Sequence, residues 1–297
     1  MNFYVQSPAQ QYCKTMGLLT SKMNKSSVNK MTTLKFKNLF GSFSITLYIL
    51  FIGLPILALI IKGLTNGLSL NDILSPTSIQ SIKLSLLTSG ISVLVIIIVG
   101  TPVAYVISRS NSLALRILDI CIELPIILPP IVAGVAMLMA FGRQGILGGF
   151  LNQIGIQLPF TMTAVIFAQI FVSAPFYIRA ARISFAAVDQ NLEELSVSLG
   201  VSPLATFWKI TLPLTWSGLI TGLALTWARS LSEFGATIMF AGNMMGETQT
   251  MPLGILMAME TNLNTAITLS LVLLTISLII LIGLSVLSNK FSNGNRR

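Results

Sequence analysis

Residues Leu84–Ser108 read LSLLTSGISVLVIIIVGTPVAYVIS, with no charged residue between Lys83 and Arg109. About 20 consecutive apolar residues cross the hydrocarbon core of a bilayer as a helix, and this stretch is long enough. The same pattern recurs on both sides of it. Leu39–Ile61 precedes it without a charge, and Leu118–Gly142, Thr161–Ile178, Leu214–Gly242 and Leu263–Ser288 follow. A single run of this kind also suits a buried helix of a soluble protein, which is a fair alternative for the short Thr161–Ile178 but not for six in series. None carries a marked amphipathic stripe, as expected of helices surrounded by both lipid and neighbouring helices. The spacing predicts an all-α membrane protein of about six transmembrane helices.

Composition agrees. Hydrophobic residues make up 54% of the 297, charged residues 9%, and the mean hydropathy is +0.84. A soluble domain carries about 25% charged residues, so in water this chain would lack the polar surface to cover its core. Lipid as solvent removes that difficulty. Histidine is absent, which excludes His-based catalysis and His metal sites. Cys13 lies in a polar tail and Cys121 in an apolar segment, a placement that offers neither a disulfide framework nor a CxxC metal site. No cofactor or metal is therefore expected on this chain. The apolar segments also hold no clustered acid/base pair or nucleophile triad of a membrane-embedded enzyme. A passive channel remains a rival, and nucleotide dependence separates it from a pump.

The net charge of +9 is unevenly distributed. Residues 1–38 hold Lys14, Lys22, Lys25, Lys30, Lys35 and Lys37, and no acidic residue comes before Asp72. This reads as a disordered basic tail, without the apolar core of a secretory signal. Met16, Met23 and Met31 leave a later start open. With this tail inside, Arg109, Arg116, Arg179, Arg182, Lys209, Lys290, Arg296 and Arg297 also fall inside. Only Lys62, Lys83 and Arg143 fall outside, and Arg229 lies within a segment. Such a bias follows the positive-inside rule and places both termini on the cytoplasmic or stromal side. Lysines beside the membrane also suit anionic lipid headgroups. The basic charge is thus explained without nucleic acid, for which no signature is present.

Two further features stand out. Leu118–Gly142 contains ELPIILPPIVAG, whose Pro125, Pro129 and Pro130 would break a helix in water. Neighbours in a bundle re-satisfy the freed carbonyls, so a kinked helix is expected. Arg229 and Glu233, four residues apart, share a helix face if the fifth segment is continuous. An unpaired charge at mid-membrane costs about 2.5–3.5 kcal/mol on insertion scales. The pair is therefore either a structural ion pair or a gate on the transport path. Asp119 and Glu123 are read as interfacial, Glu247 and Glu260 as solvated loop carboxylates, Trp208 and Trp216 as inner-boundary anchors, and Trp227 as packed.

The longest inner loop, Arg179–Pro213, contains AAVDQNLEELSVSLGVSPLATFWKITLP over residues 186–213. Leu192, Leu195 and Leu199 stand at helical spacing. Gly200 stops that helix, Ser202 caps the next and Pro203 opens it. The second stretch offers Leu204, Phe207, Trp208 and Ile210. An apolar helix–turn–helix outside the bilayer needs a partner to bury against.

Glu194, Gly200, Ile210, Leu212 and Pro213 stand at the spacing of the cytoplasmic motif of ABC importer permeases: E-A-A, three residues, G, nine residues, I-x-L-P. Leu195 and Ser196 replace the two alanines. The chain resembles the type I permeases of that family over about residues 80–288. ARSLSEFGATIMFAGNMMGETQTMPLGI (228–255) and LPIILPPIVAG (124–134) resemble the sulfate and molybdate subgroup. The resemblance implies a first transmembrane helix over 39–62, a permease core over 80–288 with a coupling loop at 180–213, and a basic tail over 289–297. It implies docking of Glu194, Leu195, Ser196, Gly200, Ile210, Leu212 and Pro213 on an ABC ATPase subunit. That partner uses the ATP, since this chain has no G-x-x-x-x-G-K-[ST]. A substrate-binding protein and a second permease subunit are implied as well; the second permease is a related chain for sulfate and a second copy for molybdate. The expected cargo is sulfate or thiosulfate, with molybdate or tungstate as the alternative. Richness in Ile, Asn, Lys and Ser points to a chloroplast envelope membrane, with a bacterial plasma membrane as the alternative.

Overall fold

The computed structural model describes residues 41–65 and 69–294, with side chains to residue 290. The basic tail expected over 1–38 lies outside the described residues. The chain divides into two compact units, Met1–Lys62 and Gly63–Arg297. In the first, helix α1 (Gly41–Thr65, running past the unit boundary) is apolar all round, with Phe43, Leu47, Phe51 and Leu54 exposed. A helix of that kind has lipid for its solvent.

Helix is the only regular secondary structure among the described residues of the second unit. After α2 (Leu70–Ile73) comes α3 (Pro76–Arg109), which opens with Ser75 as N-cap and Pro76 at its first position. Then follow α4 (Leu113–Ile127), α5 (Pro130–Phe141), α6 (Gly148–Gln153) and α7 (Met162–Ala186). Next are α8 (Gln190–Ser198), α9 (Pro203–Thr206), a π-helical turn at Phe207–Thr211, and α10 (Leu212–Leu231). The unit closes with α11 (Gly235–Phe240), α12 (Met251–Thr261) and α13 (Leu263–Gly294). Among the described residues five helices, α1 among them, are long and apolar enough to cross a membrane, or six if the bent α4–α5 pair is one span.

Cross-links along the helices fix their directions. Ser92 Oγ donates to Gln169 Oε1 at 3.0 Å, and the Thr101 and Tyr177 hydroxyls meet at 2.8 Å, so α3 and α7 run parallel. Trp227 Nε1 donates to Ser89 Oγ at 3.1 Å, while Thr211 lies beside the far end of α3, so α10 runs back between them. Thr265 Oγ1 donates to Asp72 at 3.0 Å and Ser288 Oγ to the Ser217 carbonyl at 3.1 Å, so α13 runs with α3. Small residues line these seams. A Cβ on Gly222 would stand 2.6 Å from the Ala180 Cβ, which is why α10 approaches α7 so closely. Buried hydroxyls such as Thr88, Thr215 and Thr226 donate to the carbonyl four residues back, so they need no water.

Two apolar stretches differ from their expected form. Leu118–Gly142 is not one kinked helix. Pro125 lies within the last turn of α4, Pro129 is the N-cap of α5 and Pro130 its first residue, and the two axes meet at 118°. Consecutive prolines remove two backbone donors and force the preceding residue to extended geometry; Leu128 accordingly has ψ 131. Leu214–Gly242 is likewise interrupted. Helix α10 stops at Leu231, and the short α11 leads through residues 241–250 into α12. The chain therefore turns back on itself between α10 and α13. At the far end α13 continues as helix past Lys290 to Gly294, into the stretch expected to be a tail.

Candidate functional site

The elbow at the C-terminal end of α7 forms from local signals. Asp189 caps α8 by accepting from the Asn191 N–H at 3.0 Å. Gly200 (φ +86) ends the helix in the left-handed region, where the Gly200 and Val201 N–H groups donate to the Val197 and Ser196 carbonyls. Ser202 then caps α9 through the Ala205 N–H, with Pro203 next. Ser196, 6% exposed, meets the Thr206 hydroxyl at 2.9 Å and ties the two arms together.

The outward face of this elbow is apolar. Leu192, Leu195, Leu199, Leu204 and Trp208 are all exposed, Leu199 to 76%. Of the other residues singled out in the sequence, Glu194, Gly200 and Pro213 are exposed, Ile210 and Leu212 half-buried, and Ser196 faces inward.

The residue that anchors the elbow is Glu193, which the motif spacing passes over in favour of Glu194. Its Oε1 accepts from Arg109 Nη2 at 2.7 Å and Thr211 Oγ1 at 2.6 Å, and its Oε2 from the Tyr105 hydroxyl at 3.3 Å. Arg109 also donates to the Val188 carbonyl at 3.2 Å. Partial burial pushes the Glu193 carboxyl up. The bonds from Thr211 and Arg109, the Arg109 charge and the Tyr105 bond outweigh it, so the net shift is below the ordinary 4.5. A carboxyl lowered by folding contributes stability above its ordinary pKa and loses it as pH falls through the lowered one. With Cys13 and Cys121 replaced by Ser, a spin label at Ser198 should therefore keep constant mobility from about pH 8 to about 5 and loosen only at more acid pH. Loosening already between about pH 8 and 6 would remove the carboxylate from this role.

Around the same end, Arg182 pairs with Asp119 and approaches Glu123 at 3.7 Å, and Arg179 lies 3.9 Å from Glu123. The two carboxylates of α4 read as interfacial are thus partners of α7. The described bases Arg109, Arg116, Arg179, Arg182, Lys209 and Lys290 gather at this end, whereas Lys83 and Arg143 lie towards the other.

At that other end, Arg229 and Glu233 do pair, but not along a helix face. Glu233 lies beyond the end of α10, in the turn before α11. Its side chain is fully buried, and that of Arg229 is 25% exposed. Oε1 accepts from the Ala236 N–H at 2.8 Å and so caps α11. Oε2 lies 2.8 Å from Arg229 Nη2 without hydrogen-bond alignment, so that contact is mainly Coulombic. The distance between the two charges is the one expected; the turn that brings it about is not.

A bundle of membrane-length helices, interrupted by an apolar-faced elbow and a broken span, is the architecture of a multi-pass membrane protein. The chain belongs to the family described as binding-protein-dependent transport system inner membrane component, whose model matches residues 92–291. It is therefore an ABC type I permease. Over 212 residues it is 44% identical to the probable transport system permease protein NifC of Clostridium pasteurianum, covering 70% of this chain and 74% of that one. It is 38% identical over 211 residues to the molybdenum transport system permease protein ModB of Mycobacterium tuberculosis (71% and 80%). It is 35% identical over 211 residues to the probable sulfate transport system permease protein cysT of Chlorokybus atmophyticus (71% and 74%). A chain from a bacterial ABC transporter involved in alginate import shares the fold, with a TM-score of 0.69 over 83% of this chain and 92% of that one at 16% identity.

Proposed function

We propose that this permease carries molybdate, or the closely similar tungstate, across a membrane on the energy of ATP hydrolysed by a separate subunit. The observation that carries the ATP-driven part is the elbow: five exposed apolar side chains on a rigid helix–glycine–helix unit, held on the ends of the spanning helices. Such a face is stable only against a partner, and an ABC ATPase is the partner that the motif around Glu194, Gly200 and Pro213 implies. The crowding of basic residues at this end supports a cytoplasmic elbow and cytoplasmic termini.

The choice of anion rests on the relatives. Relatives named for molybdenum transport range from 34% to 39% identity, and a relative named for sulfate transport stands at 35%. The more similar of these relatives carry the molybdenum name, which supports the anion expected second over sulfate, and with it a second copy of this chain as the other permease. A substrate-binding protein delivers the anion to the outer face. ATP closes the ATPase dimer, the elbow moves with it, and the path opens outward; hydrolysis returns it. Tighter binding of ATP to one state supplies the bias. A bacterial plasma membrane is the location taken, since the expectation of a chloroplast envelope rests on composition alone.

The test is uptake of labelled molybdate into vesicles that hold the complex, with its binding protein outside and ATP inside. Tungstate in tenfold excess is expected to suppress uptake and sulfate to leave it unchanged. Suppression by sulfate makes this a sulfate permease, the reading favoured by the likeness to cysT, and uptake without nucleotide makes it a channel.

A further inference from the structure

The inward face of the elbow carries a consequence beyond docking. Helix α8 joins α7 through residues 187–189 and joins α9 through residues 199–202. Neither link alone stops α8 from swivelling when its outer face is pulled. Glu193 and Ser196 occupy the inward face, three residues apart on one side of the helix. Through Glu193 helix α8 is tied to two elements that do not adjoin it in the chain: the end of α3 (Arg109, Tyr105) and Thr211, the last residue of the π-helical turn that leads into α10. Thr211 is fully buried, and Tyr105 packs edge-on against Phe185 at 5.5 Å and Phe207 at 5.0 Å. The bonds of Glu193 thus end on groups that are themselves held.

We propose that Glu193 is the positioning residue of energy coupling: with Arg109 and Thr211 it latches the elbow to α3 and α10, so that the ATPase moves both helices with the elbow as one body. This rests on the ATP-driven reading above and deepens it. Glu193 does not face the partner, so it acts on what a pull achieves and not on whether the partner binds. The π-helical turn is the joint that the latch spans. Single π-helical turns inside α-helices recur at functional sites, and the Thr211–Glu193 bond ties this one to α8.

The complex with its ATPase, in liposomes, gives the test when anion uptake and ATP hydrolysis are read from the same vesicles. Glu193→Ala is expected to lower anions moved per ATP by about two- to thirty-fold, with ATPase co-purifying in the wild-type ratio. Glu193→Gln keeps an acceptor for Thr211, loses the ion pair and should fall between. The exchange Arg109→Glu with Glu193→Arg should recover part of the ratio. An unchanged ratio in both single variants overturns the latch, as does a loss of ATPase association in step with uptake. If Glu193→Ala fails to reach the membrane, Glu193→Gln decides. Hydrogen exchange of residues 190–198 in the permease alone gives an independent readout: it should quicken in Glu193→Gln, and an unchanged rate overturns the latch. Wild-type protein that takes up no anion on ATP overturns the transport reading instead, and leaves the exchange experiment to judge the latch.

Discussion

Replacing Leu195 and Leu199 together by glutamate should abolish ATP-driven uptake while leaving the permease folded. Both side chains are mostly exposed, at 60% and 76%, so the chain alone loses little packing when they change. The loss falls on the complex. Burying a leucine side chain fully contributes about 1.5–3 kcal/mol, so two that are still largely exposed have about 3 kcal/mol to gain from a partner. That is about two decades of affinity. Two carboxylates taken into an apolar cleft add a desolvation penalty of the same sign. ATPase co-purified per permease is expected to drop at least a hundredfold, and uptake with it, at unchanged thermal stability in detergent. Full ATPase recovery from the double variant would show that this face docks nothing, and the coupling role of the elbow would go with it.

The elbow was legible because each of its signals is local. Asp189, Gly200, Ser202 and Pro203 cap and punctuate through bonds to residues two to four away, and such bonds form wherever the sequence provides them. The membrane-length helices were legible for a different reason: lipid demands about 20 apolar residues in a row, and few other environments do. What escaped depended on distant partners. Glu193 and Glu194 are adjacent, and motif spacing selects the second. Which of them faces inward is set by where Arg109, Tyr105 and Thr211 stand, and these residues are up to 88 positions away. Three prolines announce a disturbed helix, but whether it bends or breaks through 118° depends on what receives the second half, here α11 against α5. Helix α12, with 11 residues, is too short for the length criterion and read as an outer loop. The stretches that point to oxyanions resemble sulfate and molybdate permeases alike, so they do not separate the two anions.

The largest effect on stability is expected at Arg229. Spacing of four residues suits a helix face, yet the structure uses it to close a turn, with Glu233 fully buried between Arg229 and the Ala236 N–H. Arg229→Ala leaves a fully buried carboxylate with no opposing charge. Removing one partner of a buried pair typically costs about 3–5 kcal/mol, a large share of the 5–15 kcal/mol that holds a domain folded. Little mature protein should reach the membrane. Glu233→Gln should be milder, because its amide oxygen still accepts from Ala236, and the partly exposed Arg229 retains access to polar surroundings. The double variant Arg229→Gln with Glu233→Gln should then recover much of what Arg229→Ala loses, since no charge is left to be buried. Membrane yield and melting temperature across the three variants measure this order directly. Uptake at matched protein level separates the two roles open to the pair. A structural pin predicts that Glu233→Gln transports at near wild-type rate with unchanged anion preference. A Glu233→Gln protein of normal stability but altered preference would instead make the pair the gate, and the turn between α10 and α11 would become part of the anion path.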